Sequence, residues 1–432
     1  MTAAARPPAG DCPVDEAWMT ALMADLFPLS RSITGDGTRA TLARVRREIA
    51  LTVHEVPTGT SVLDWSVPEE WNLRRARLIA PDGSVAVDTA DSNLHVVGYS
   101  TPVRGEYALV DLLPRLHSLP NRPELVPYRT SYHVRDWGFC LSQRTRAALL
   151  PGRYGVEIDA SLAPGSLSYG ELLVPGRVRD EVLITTHICH PSLANDNLTG
   201  IAAATALARW AVRESRQHTY RFLFLPATIG AVTWLARNQD ATAHVRYGLV
   251  LTGLGDPAPL TYKSSRRGDT AIDRLMSHLV THSGGTTRDW YPYGYDERQF
   301  CSPGFDLPVG RLSRAMHGTY LQYHTSADDL SFVSGGQVRA AVAIVLAAFD
   351  AIESGLVPRS LAPYGEPQLG RRGLFRGLGG TLEKTSSEYA LLWLLSLADG
   401  EHDLVAIAER SGLSLSEVMT AAEALRAAGL LA

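Results

Sequence analysis

The sequence predicts an α/β protein built on a largely parallel sheet with helices on both faces, and two observations carry that reading. The first is alternation after about residue 158. Leu172-Leu173-Val174, Val182 to Thr186, Tyr220 to Leu225 and Tyr247 to Thr252 are apolar runs of strand length. Between and after them, Leu198 to Arg213, Ile229 to Asn238, Thr270 to His282 and Gly335 to Ser354 have helical spacing. Strands that are apolar along their whole length need cover on both faces, which interleaved helices provide. The second observation is Thr185-Thr186-His187-Ile188-Cys189-His190-Pro191-Ser192-Leu193-Ala194-Asn195-Asp196-Asn197-Leu198-Thr199-Gly200. It joins a strand to an alanine-rich helix and carries imidazoles, a thiol and a carboxylate. Open α/β sheets bind ligands at such connections, so the chemistry is expected here.

In chain order, residues 1–13 are expected to be disordered, and Val14 to Leu29 places Ala17, Ala21, Leu22 and Leu26 at helical spacing behind Asp15 and Glu16. The polar loop Leu29 to Gly37 contains Arg31 and Ser32, whose ordinary reading is capping and turn formation, and it feeds a second helix over Thr38 to Ile49. From Thr52 to about Glu157, short β-like runs such as Arg77-Leu78-Ile79-Ala80 and His95-Val96-Val97-Gly98-Tyr99 recur between turns. That spacing predicts a small antiparallel sandwich or barrel. The Pro-, Tyr- and Trp-rich tract Leu119 to Leu141 is expected to be an ordered loop covering a site. A Pro/Gly-rich link, Pro358 to Gly380, precedes three helical patterns with helix-turn-helix spacing. The expected division is 14–60 (N-terminal helices of the core), 61–157 (inserted β-rich domain), 158–360 (α/β core), 361–384 (linker) and 385–432 (winged-helix-like module).

Composition narrows the function classes. The 432 residues carry a net charge of −4, with 45% hydrophobic and 20% charged residues, an ordinary globular balance. The C-terminal module has Glu388, Asp399, Glu401, Asp403, Glu409, Glu417 and Glu423 against Arg410 and Arg426. Phosphate contacts need the opposite sign, so no nucleic-acid partner is expected; a structural or dimerising role, giving a homo-oligomer, is. Cys12, Cys140, Cys189 and Cys301 are scattered without Cys-x-x-Cys spacing, as in reduced cytosolic thiols. No run of spanning length and no charged-then-apolar leader is evident, so no membrane partner and a cytoplasmic location are expected.

His187 at a strand end, Asp196 at the next helix start and His324 on a later loop form the sharpest constellation. Two imidazoles and a carboxylate with an open fourth position suit a catalytic zinc. Cys189, two residues from His187 on an extended segment, competes as a ligand or orients His187; His190 is expected to point away. Asp296, Glu297 and Arg298 form a charged triplet that reads either as a solvated loop or as a carboxylate holding a substrate amine or acting as base.

His187 with Ala194-Asn195-Asp196-Asn197-Leu198-Thr199-Gly200 resembles the A-N-D-N-x-[ST]-G element of co-catalytic zinc exopeptidases, a fold shared with glutaminyl cyclases. The longer set is similar to a bacterial family with an aminopeptidase-like domain, an inserted β-domain and a C-terminal winged helix. That set is Arg31 to Gly35, Trp137 to Cys140, His187 to Pro191, Asp296 to Gly304 and Tyr323 to Asp328, in order along nearly the whole chain. The resemblance implies a zinc-exopeptidase-like three-layer α/β/α core. It matches His187 and His324 to terminal metal ligands and Asp196 to the carboxylate that bridges two metals. Two departures follow. The exopeptidases place a general-base Glu and a ligand Glu where this chain has Ala227-Thr228, and another carboxylate ligand near Thr252. One zinc is therefore expected rather than two. Either Ala227 replaces the base, by divergence or deliberate inactivation, or Asp296, Glu297 or Glu171 serves. Arg31, Ser32, Arg298 and Tyr323 are candidates to meet a substrate carboxylate or developing oxyanion. The implied activity is zinc-dependent hydrolysis of a peptide or aminoacyl amide, with acyl transfer or cyclisation, or a non-catalytic metal-retaining role, as alternatives.

Overall fold

The computed structural model describes residues 15–132, 134–374 and 386–432; the start predicted disordered and the second half of the predicted linker lie outside them. An eight-stranded sheet organises the core: β1 (Thr52–Pro57), β2 (Ser166–Val174), β3 (Glu181–His187), β4 (Thr219–Leu225), β5 (Val245–Leu251), β6 (Thr261–Lys263), β7 (Thr286–Arg288) and β8 (Val309–Ser313). Their spatial order is β1-β2-β4-β3-β5-β8-β6-β7. The central four, β4-β3-β5-β8, are parallel, while β1 and β2 pair antiparallel on one side and β6 runs antiparallel to β8 on the other. The sheet is thus mixed rather than largely parallel. Only strands joined through helices are forced parallel, and β1 and β2 flank the inserted domain instead.

Period-2 side-chain alternation divides the core in two. Val182 and Ile184 of β3, with Tyr220, Phe222 and Phe224 of β4, pack under α1 (Glu16–Leu26), α2 (Asp36–Arg46), α3 (Thr199–Ala211) and α6 (Gly335–Glu353). Leu183, Leu223 and Leu225 face the other way, onto α4 (Ile229–Arg237) and the inserted domain. In α3, Ala202, Ala203, Ala204 and Ala208 have no exposed surface, and small side chains there let α6 pack closely over it. No run was predicted to reach spanning length, yet α6 is long and apolar enough by length and composition to cross a membrane. Its apolarity is accounted for by the neighbours it packs against, α1, α3 and α5 (Ala271–His282).

The inserted domain is built on one four-stranded antiparallel sheet, Val85–Asp88, Glu70–Ile79, Arg153–Ala163 and Val103–Ala108 in spatial order, with the short pairs Ser61–Val62/Trp65–Ser66 and Leu116–His117/Phe139–Cys140 beside it, and not on a sandwich or barrel. It needs no second sheet because Ala76, Leu78, Val156 and Ile158 bury against the core, while Arg75 and Arg77 pair with Asp88 and Glu157 on the other face. Its strand Arg153–Ala163 straddles the expected boundary at 157. At the C-terminus, α7 (Ser386–Leu397), α8 (Leu404–Ser411) and α9 (Leu415–Ala427) form the three-helix module. Arg359 and Ser360, placed at the end of the core by the sequence, instead bridge to Asp399 and Leu431 of that module. Its apolar residues merge with the core under α5, where Arg274 bonds Asp403 at 2.8 Å.

Candidate metal centre

The residues that meet at the carboxyl end of β3 do so because every part of the 194–200 segment is tied down. Asn195 donates from its amide to Asp256 at 2.9 Å and accepts from the Gly255 N–H at 2.9 Å, anchoring the loop to the chain after β5. Asn197 donates to the Thr186 hydroxyl at 2.7 Å and lies 3.3 Å from His187 Nδ1. Thr199 accepts from the Leu254 N–H at 3.0 Å. Gly200 has no room for a side chain, since a Cβ would sit 2.5 Å from both Asn197 and the Leu251 carbonyl. A further anchor comes from Asp328. Its carboxylate accepts from the backbone N–H groups of Asn195 at 2.6 Å and Asp196 at 3.1 Å.

That framework aims Asp196 into a nest of imidazoles. His187 Nε2 lies 2.8 Å from Asp196 Oδ1, and His324 Nε2 lies 3.0 Å from Oδ2. His190 completes the group: donor atoms of His187, His190 and Asp196 all fall within 4.8 Å of one another. Its ring stands 4.8 Å from that of His187 and 5.3 Å from that of His324. The expectation that His190 points away fails because β3 ends at His187, so strand alternation no longer sets side-chain direction at residue 190. Cys189 stays outside the donor group. Its buried thiol accepts from the Ala227 N–H at 3.3 Å and lies 3.7 Å from His190 Nδ1.

Neighbouring rings hold the imidazoles. Tyr295 stacks on His187 at 5.0 Å, Tyr323 stacks on His324 at 4.0 Å, and Tyr128 sits edge-on to His324 at 5.0 Å. Tyr128 belongs to the tract predicted to cover a site, and it does cover this one. Its N–H donates to the His324 carbonyl at 2.8 Å, and Pro127 bridges to Thr325. His324 itself has φ +53°, outside the usual range for a side-chain-bearing residue, so its neighbours hold it in an unfavourable backbone conformation.

These residues fit a cation. Asp196 is fully buried, and among the described residues its ion-pair partners are imidazoles, with no Lys or Arg against it. Burial drives His190 down to about 3, so at neutral pH it is a free lone-pair donor. Thr228 and Thr252, where the exopeptidase pattern puts further carboxylates, offer no anionic oxygen. Replacing His190 by alanine is expected to cost zinc affinity more than the roughly 10–100-fold typical of an outer-shell partner, and Cys189→Ala no more than that. Competition with a chromophoric chelator measures both. Asp328→Ala, which frees two buried N–H groups, is expected to destabilise the fold by about 1–3 kcal/mol in urea unfolding.

The candidate bases separate cleanly. Glu171 is paired with Arg221 and lies 3.2 Å from His54 Nε2. Glu297 is fully buried and bonded to Lys263 at 3.0 Å, with Arg311 at 3.5 Å, so neither carboxylate is available to substrate. The expectation of a base or amine-binding role for Glu297 is corrected on that ground. Asp296 differs in having no ion-pair partner among the described residues: it is buried, its Oδ1, like Glu297 Oε2, has no hydrogen-bond partner, and burial raises it to about 7 against the opposing pull of His187. Ala227 follows the end of β4, whose last residue pairs with His187, and offers only a methyl group. Arg298 is half-buried beside Asp296 with its Nε unpartnered. Arg31 is buried next to His190, whose carbonyl accepts from Arg31 Nε at 2.8 Å. Ser32 is buried too, its hydroxyl facing that of Tyr132.

A family model described as a domain of unknown function (DUF4910) matches residues 20–355, and a winged helix-turn-helix model matches 356–432. A Clostridium acetobutylicum protein whose name assigns it to polysaccharide biosynthesis, with an aminopeptidase-like domain, is 42% identical over 412 residues, 95% of each chain. A crystal structure of a protein from the same species, named a peptidase, covers 96% of both chains at 40% identity and a TM-score of 0.90. The zinc aminopeptidase of Bacillus subtilis covers 78% of this chain and 95% of its own at 11% identity and a TM-score of 0.57, a likeness of fold.

Proposed function

The chain belongs to the DUF4910 family, on an aminopeptidase-like fold with a winged helix behind it, and from that premise we propose that it is a zinc-dependent amidohydrolase acting on a peptide or aminoacyl amide. The observation that carries the proposal is the convergence of His187, His190 and His324 on the buried Asp196, with the unpaired carboxyl of Asp296 nearby. His187, His190 and Asp196 would hold the ion, in place of the expected His187, Asp196 and His324, because His324 meets the other carboxylate oxygen. Zinc in such a site polarises an amide carbonyl and acidifies water.

The chain's own groups do the rest. Asp296 accepts the proton of the attacking water at Oδ1 and returns it to the leaving amine, taking over from the missing Glu at 227. Asn197 and Tyr295 fix the His187 ring, and Tyr323 and Tyr128 fix His324, so the donors do not reorganise during turnover. The Tyr128 cover limits water at the centre. The name of the Clostridium relative supports a substrate that arises in polysaccharide assembly, such as an aminoacylated amino sugar. The test is metal content together with cleavage of a panel of aminoacyl amides. About one zinc per chain and cleavage abolished by a chelator are expected; protein without stoichiometric zinc overturns the reading.

A further inference from the structure

The Arg31 guanidinium is 1% exposed, yet no carboxylate pairs with it among the described residues. Nε donates to the His190 carbonyl at 2.8 Å, Nη1 donates to the Leu26 carbonyl, and Nη2 has no partner at all. The Cys189 thiol and the Tyr128 phenol stand beside it. This is an uncompensated buried charge. Leaving a buried ion unpaired is costly, and the cost is relieved when a ligand supplies the counter-charge.

The surroundings of Arg31 contrast with those of the other buried cations near the site. Lys263 and Arg311 share Glu297, at 3.0 and 3.5 Å, and Arg221 is held by Glu181 at 2.7 Å. Arg31 alone of these four has no ion-pair partner among the described residues, and unlike Arg314, whose Nε, Nη1 and Nη2 each reach a backbone carbonyl, it leaves Nη2 unbonded. Hydroxyl groups adjoin it: Tyr128 and Tyr132 are 3.0 Å apart through their phenolic oxygens, and Ser32 faces Tyr132. Arg31 also adjoins the centre directly, because the carbonyl it binds belongs to His190. Tyr128 is common to both, since its ring lies 5.1 Å from His190 and 5.0 Å from His324.

We propose that Arg31, with Ser32, Tyr128 and Tyr132, is an anion subsite that receives a free carboxylate of the substrate, so that the preferred amides carry an acidic group within a few bonds of the scissile bond. This rests on the amidohydrolase reading for the scissile bond but not for the subsite itself. The subsite lies beneath the Leu119 to Leu141 cover, which must admit the ligand. A planar guanidinium fork facing a carboxylate makes a charge-assisted pair of the strong class, and the neutral carboxamide of the same shape forfeits it.

The test is calorimetric binding to zinc-loaded full-length protein of L-alanyl-L-alanine and of L-alanyl-L-alaninamide, with cleavage recorded in parallel. The acid is expected to bind at least ~10-fold more tightly than the amide, the discrimination a charge-assisted pair supplies. In Arg31→Met the ratio is expected to fall to about one, and in Arg31→Lys, which keeps the charge but loses the fork, to an intermediate value. Equal affinities in the unmodified protein, or no binding of either peptide, overturn the subsite, and this comparison needs no variant to fold. A preference that persists in Arg31→Met also overturns it, since the carboxylate would then be bound elsewhere. Preferential binding of the acid without cleavage of either peptide keeps the subsite and removes the hydrolase reading. Equal cleavage of both peptides does the reverse.

Discussion

Asp296→Asn is expected to lower kcat for amide cleavage by about 10²–10⁴-fold, the range that a positioned general acid–base supplies. The argument is one of elimination on geometry. Of the carboxylates proposed to replace a base at Ala227, Glu171 and Glu297 are ion-paired with arginine or lysine, whereas Asp296 has no ion-pair partner among the described residues and carries an unbonded Oδ1. Its amide analogue has nearly the same shape but accepts no proton. The pH profile gives a second readout. Burial raises the Asp296 carboxyl to about 7 in metal-free protein, and only its ionised form can act as base, so kcat/KM of zinc-loaded protein should rise with pH over a range below that value, because the cation draws the carboxyl down. Asp296→Asn should lose that limb. For stability the sign is the opposite of the usual carboxylate case. The folded value lies above the unfolded one, near 3.9, so between the two the folded state holds the extra proton. In metal-free protein the stability tied to Asp296 is present below about pH 4 and is lost as pH rises towards about 7. Asp328, raised to about 8 by burial, acts with the same sign, so variant and unmodified protein should be compared at each pH. Above pH 7, Asp296→Asn is expected to be the more stable and the less active of the two, the trade-off of a strained functional group. Ala227→Glu, in contrast, should rescue Asp296→Asn only if a carboxylate at 227 reaches the same water.

The second large effect is at Asp196. Asp196→Asn is expected to abolish stoichiometric zinc retention, with an affinity loss beyond the roughly 10–100-fold typical of outer-shell changes. Among the described residues it is the carboxylate hydrogen-bonded to both His187 and His324, with a separate oxygen for each, and His190 stands in the same group. An asparagine keeps the size but removes the charge that attracts the cation into a buried site. The loss should be read by metal analysis after gel filtration, alongside circular dichroism. Retained secondary structure with lost zinc separates a ligand role from a folding defect.

Much of this site was legible in the sequence because it lies on contiguous, ordered motifs. His187 and Asp196 sit on one strand-to-helix connection, and the requirement for Asn195, Asn197, Thr199 and Gly200 follows from the hydrogen bonds each makes there. The alternation of strands and helices gave the α/β class. What stayed hidden depends on where a chain leaves regular geometry or what lies across from it. His190 was misread because period-2 alternation was extended one step past the end of β3. Glu297 looked available because its partners, Lys263 and Arg311, come from β6 and β8, far away in sequence. Asp328 was visible only as the end of a motif, and its grip on the Asn195 and Asp196 amides is a tertiary fact. The antiparallel sheet edges were missed because an apolar run does not reveal the direction of the strand beside it.

The central claim is hydrolysis of an amide at the Asp196 centre with Asp296 moving the proton. Cleavage of an aminoacyl amide by zinc-loaded protein in ¹⁸O-enriched water, read by mass spectrometry, tests it most directly. The account predicts hydrolysis, which gives one ¹⁸O in the carboxylate of the released acyl product for each turnover, and with Asp296→Asn the labelled product should accumulate about 10²–10⁴-fold more slowly. A product lighter than the substrate by the leaving amine and free of ¹⁸O would mean cyclisation, and would contradict it.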